Sequence, residues 1–124
     1  MRNLVGWFEI PVTDIQRAKK FYETLFECTL EDAKMEQCDM FFFPGGMESP
    51  GAMGALVKGE NYKPSADGVL IYFAAPQDDI PLGLKRAAEN GGKVILEKMS
   101  LGEHGFMGGF IDTEGNRIAI HSMK

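Results

Sequence analysis

At 124 residues, with 44% hydrophobic and 25% charged side chains, the chain has one domain's worth of core-forming material and lies outside disordered or fibrous compositions. Thirteen basic against eighteen acidic residues give a net charge of −5 with no basic run, which argues against a nucleic-acid partner. No apolar stretch approaches the roughly 18 residues of a bilayer span. The opening MRNLVGWFEI lacks a signal-peptide pattern, so a cytoplasmic protein without membrane partners is expected.

Residues 4–12 (LVGWFEIPV) are rich in aromatic and β-branched types and predict a strand that runs into Thr13-Asp14, a helix cap. Beyond it Ile15, Ala18, Phe21, Tyr22, Leu25 and Phe26 recur at three- and four-residue spacing, an amphipathic helix of about three turns. Short strands are predicted over 27–34, 40–43 and 52–58, separated by the turn formers of GGMESPG and by a charged stretch near Glu36 to Asp39. Polar, aperiodic GENYKPSAD (59–67) reads as a connector. The order then restarts, with a strand over 68–75, a helix over 80–90 stopped by Gly91-Gly92, and strands over 93–97, 106–112 and 116–122.

A shift of 65 residues superimposes the halves. It carries Trp7 onto Tyr72, Asp14-Ile15 onto Asp79-Ile80, Leu30 onto Ile95, Phe41 onto Phe106 and Gly54 onto Ala119. Each half therefore reads β-α-β-β-β, as modules of about 1–58 and 68–124 within one α+β domain. Cys28 and Cys38 are ten apart without CxxC spacing and are expected to be free thiols.

The run FEIPVTDIQRAKKFYETLF resembles the opening of proteins of the glyoxalase, bleomycin-resistance and extradiol-dioxygenase superfamily, the vicinal-oxygen-chelate fold. GGFIDTEGNRIAIHS resembles that superfamily's last hairpin, with Thr113 at a position commonly proline, and AAENGGKVILEK its second helix end and strand. The resemblance implies two modules forming a cup-shaped mixed sheet with helices outside, a small molecule bound on the concave side, and frequent homodimerisation. It also implies four metal ligands from opening and closing strands. Those positions fall on Trp7, Gly54, Tyr72 and Ala119, none a normal divalent-metal ligand, so no metal and no cofactor are expected.

Strand alternation puts Trp7 and Glu9 on one face, Tyr72 and Ala74 on the matching face of the second module, and Ala119 and His121 inward in the last strand. Glu9, a carboxylate in an apolar strand, requires a partner or a shifted pKa. It is read either as a general base with His121 as partner acid, or as a structural pair to Arg117 or a Tyr hydroxyl. Trp7 and Tyr72 form a ligand platform or plug the cup, with Phe43 and Met53 expected to line it. His104, in LGEHG, is read as a lid residue or as solvent-facing. A metal-independent small-molecule binder, a lyase or isomerase of glyoxalase type, and an interaction module with a filled cup all remain open.

Overall fold

A computed structural model describes residues 3–124. Strand β1 (Trp7–Pro11) leads to helix α1 (Ile15–Phe26), followed by β2 (Glu31–Asp32), β3 (Asp39–Phe42) and β4 (Met53–Lys58). The second half repeats this as β5 (Ile71–Ala74), α2 (Ile80–Glu89), β6 (Lys93–Ser100), β7 (Phe106–Ile111) and β8 (Arg117–Ser122). The sheets have the orders β1-β4-β3-β2 and β5-β8-β7-β6, so each module closes a parallel pair between its first and last strands and runs antiparallel elsewhere.

Both helices start as the sequence predicts. Asp14 accepts the amide N–H of Arg17 at 3.0 Å and Asp79 that of Leu82 at 3.1 Å, each satisfying an otherwise orphaned donor. The predicted strand over 27–34 shrinks to Glu31–Asp32. Glu27 ends α1 in the left-handed region at φ 50°, and Leu30 is spent as a buried plug rather than a ladder residue.

Ile15, Ala18, Phe21, Tyr22 and Leu25 of α1 and Ile80, Leu84 and Ala87 of α2 bury against Ile10, Leu56, Phe110, Ile118 and Ile120 of the sheets. Each fully buried large side chain contributes roughly 1.5–3 kcal/mol. The aromatic pairs Phe8–Phe73, Tyr22–Phe73 and Phe43–Phe73 carry this core across the junction of the modules.

Polar contacts tie the same junction. Asn116 Nδ2 donates to the Pro11 carbonyl at 2.7 Å, and its Oδ1 accepts from the Ser65 amide at 3.0 Å, joining both modules to the connector. Tyr22 donates to Asp112 at 2.6 Å with both residues buried. Burial, followed by the neighbouring Asp112 carboxylate, holds the Tyr22 phenol well above its ordinary pKa.

Glu114, in the β7–β8 turn, caps the start of α1 from the other module. Its Oε1 accepts from the Thr13 amide and hydroxyl (both 2.9 Å) and from the Asp14 amide (2.8 Å). Its Oε2 accepts from Arg17 Nε at 2.8 Å and from the Thr113 hydroxyl at 2.8 Å. Burial pushes this carboxyl's pKa up, but hydrogen bonds from Arg17, the Asp14 amide, Thr113 and the Thr13 amide outweigh it and bring the pKa down to about 2.

Candidate functional site

Because Phe8, Ile10 and Val12 pack on the helix side of the first sheet, the alternate residues Trp7, Glu9 and Pro11 face the opposite, concave side. The second sheet repeats the pattern. Phe73 packs on α1 through Tyr22 and Phe26, so Tyr72 and Ala74 face the concave side, together with their register partners Ala119 and His121. Trp7 is 40% and Tyr72 49% exposed, large values for aromatic side chains in the middle of a fold.

Glu9 is satisfied from both sides. Trp7 Nε1 donates to its Oε2 at 3.1 Å and the Tyr62 hydroxyl donates to its Oε1 at 2.8 Å. Of the two structural partners considered, a Tyr hydroxyl is the one found; Arg117 is not bonded to Glu9. The bond to Glu9, followed by the charge of the same carboxylate, raises the Tyr62 phenol above its ordinary pKa. Tyr62 comes from the connector, where no periodicity marks it. Phe42 meets Trp7 edge to face with ring centroids 5.7 Å apart, and with Met40, Ala55, Val57 and Tyr62 it forms a small apolar cluster behind Glu9.

Three expectations are corrected here. Trp7 is paired in register with Met53, as Tyr72 is with Ala119, so the position equivalent to Ala119 is Met53 and not Gly54. The 65-residue shift holds in β3, where Phe41 matches Phe106, and becomes 66 in β4; in β2 it is 68, Asp32 matching Ser100 by their pairing with Phe41 and Phe106. Gly54 lies instead on the helix side, where a Cβ would run into the Phe8 ring. Phe43 is not a concave residue either. It packs against Phe8, Tyr22 and Phe73 on the helix side, and Phe42 takes the concave position. The proposed Glu9–His121 acid–base pair does not form: Glu9 is engaged by Trp7 and Tyr62, and His121 Nε2 lies 2.6 Å from the His104 carbonyl.

Since a carbonyl only accepts, that His121 nitrogen must carry its proton and donate. The bond pins the short 3-10 turn Gly102–His104 against β8. The same closeness explains Gly105, at φ 96°, whose Cβ would collide with the Ser122 carbonyl. The His104 side chain is 78% exposed and 3.7 Å from Glu103, so only its backbone joins the network.

The concave donor set does not fit a divalent metal. Trp7, Met53, Tyr72 and Ala119 offer an indole, a thioether, a phenol and a methyl, and no three His, Cys, Asp or Glu side chains converge among the described residues.

Two hollows flank the junction of the modules. One, of about 190 Å³, is bounded by Glu9, Pro11, Lys63, Asp67, Ile71 and Arg117, where the connector crosses. The other, of about 280 Å³, is apolar and lined by Phe8, Phe26, Phe43, Met53 and Phe73, with the Cys28 thiol in its wall. Burial, then the nearby Glu23, pushes that thiol's pKa up, away from nucleophilic use. Cys28 and Cys38 are both free.

Two βαβββ modules with helices on one side and an aromatic, half-open concave face on the other define an α+β protein of the vicinal-oxygen-chelate class. The comparisons agree: residues 4–120 match the model of the Glyoxalase/Bleomycin resistance protein/Dioxygenase superfamily, and the chain belongs to that family. A glyoxylase-like domain-containing protein of Didymella fabae is 33% identical over 129 residues, covering 97% of this chain and 94% of its own.

Among solved structures, a glyoxalase/bleomycin resistance protein/dioxygenase family enzyme from Burkholderia phytofirmans PsJN superimposes with TM-score 0.70 at 14% identity, covering 96% of this chain and 98% of that one. A glyoxalase/bleomycin resistance protein from Streptomyces sp. CB03234 gives 0.66 at 24%, covering 94% and 98%. The genomically encoded fosfomycin resistance protein of Listeria monocytogenes gives 0.67 at 15%, covering 98% and 91%. No described helix is long and apolar enough to cross a membrane.

Proposed function

We propose that the protein binds a small aromatic or apolar molecule on its concave face, without a divalent metal. The carrying observation is the set of register positions Trp7, Met53, Tyr72 and Ala119, which replaces hard donors by two half-exposed aromatic rings, a thioether and a methyl. Such a surface stacks planar molecules rather than polarising them.

Metal analysis of protein purified without chelator, followed by Ni²⁺ and Zn²⁺ titrations read by melting temperature, tests the metal-free half of the reading. Stoichiometric metal that raises Tm overturns it. Trp7 is the only tryptophan of the chain, so its fluorescence reports directly on ligands at the concave wall. A panel of planar aromatics that leaves Trp7 emission and Tm unchanged overturns the binding half.

Glu9, on that wall, supports a second reading as the general base of a glyoxalase-type lyase or isomerase. Turnover of glutathione adducts of 2-oxoaldehydes by the wild type, lost in Glu9→Gln, would establish it over simple binding.

A further inference from the structure

Glu9 is half-buried, and both donors that reach it, the Trp7 indole and the Tyr62 hydroxyl, are neutral. None of the ion pairs among the described residues includes it. The concave wall of the first module therefore presents a half-buried carboxyl group with no counter-charge in contact.

Both donors leave their rings free to take part in the wall: the Trp7 indole and the Tyr62 phenol reach Glu9 through N–H and O–H, and Phe42 packs on Trp7 edge to face. The N–H of Trp7 is spent on Glu9, and the 40% of Trp7 that stays exposed is surface on which a planar molecule can stack. Lys63 and Arg117 share the adjoining hollow with Glu9 and Asp67, yet neither comes within ion-pairing distance of Glu9. Both are exposed, and water and salt screen their repulsion. The overall charge of −5 favours the approach of cations.

We propose that the concave wall formed by Trp7, Phe42, Tyr62 and Glu9 is a site for small planar organic cations, which stack on Trp7 with their charge beside the Glu9 carboxylate. Tyr62 is the positioning residue, since it holds the carboxylate from the connector side. The proposal rests on the small-molecule reading above and narrows it from aromatic molecules in general to cationic ones.

Three probes of one size separate the possibilities: 1-methylquinolinium, neutral quinoline and anionic 1-naphthoate, titrated calorimetrically into the wild-type protein near pH 7.5. The cation is expected to bind about tenfold tighter than quinoline, the scale of a partly desolvated cation–π contact beside a carboxylate. In Glu9→Gln that preference disappears. In Tyr62→Phe, which keeps the charge but frees the carboxylate, it shrinks. Should Glu9→Gln not fold, the wild type still decides: added salt must weaken the cation and spare quinoline.

Equal affinities for cation and quinoline, or tightest binding of naphthoate, overturn the cation assignment while leaving the small-molecule reading in place. Failure of all three probes overturns the reading beneath it as well.

Discussion

Replacing Glu114 by Gln isolates the clamp between the modules. The folded carboxyl's pKa is brought down to about 2 from an ordinary 4.5, a displacement that corresponds to roughly 3 kcal/mol. The Glu114 side chain has no exposed surface, but its partner Arg17 is 51% exposed and the clamp lies just below solvent, so screening reduces the usable part to about 1–2 kcal/mol. Gln keeps one acceptor for the Thr13 and Asp14 amides and loses the charge that holds Arg17.

Urea unfolding at pH 7 should show the variant less stable by that amount, about 4–8 °C in Tm. The pH dependence identifies the cause. Because the folded pKa is depressed, the unfolded chain binds the proton that the folded chain refuses, and the stabilisation is complete above pH 4.5 and lost as pH falls toward about 2. The gap between wild type and variant must close over that window. A gap unchanged between pH 7 and pH 3, or no gap at pH 7, refutes the electrostatic account of the clamp.

Other substitutions probe the core and the concave wall. Tyr22→Phe removes the 2.6 Å donor to buried Asp112 and should cost about 1–3 kcal/mol by chemical denaturation, the desolvation penalty of an under-satisfied carboxylate. Gly54→Ala drives a methyl into the Phe8 ring and should cost about 1–3 kcal/mol in the same assay, while Ala52→Gly next to it costs less. His121→Ala removes the bond to the His104 carbonyl and should speed amide exchange at Gly105, with little change elsewhere in β8.

Much of the fold was readable because local signals agreed. The two Asp caps, the amphipathic spacing of α1 and the restart after the connector each have a local physical cause, and the β1 alternation placed Trp7 and Glu9 on the concave side. The misreadings have equally local causes. Met40-Phe41-Phe42-Phe43 is apolar throughout, so alternation carries no parity there, and nothing in the run marks Phe42 rather than Phe43 as the concave residue. One residue of difference between the last strand pairs of the modules moved a ligand position from Met53 to Gly54. Tyr62 lay outside any periodic segment, and only the path of the chain back across the sheet brings its hydroxyl to Glu9.

The parallel pairings of β1 with β4 and of β5 with β8 join residues about fifty positions apart, whereas the antiparallel pairs between them are more local. Loop closure of that length is the entropic obstacle within each module, and it arises twice. Glu114 contacts α1 across about a hundred residues and needs both modules assembled around it. The clamp thus belongs to the last stage of folding, and its loss should show in the unfolding rate rather than in the folding rate.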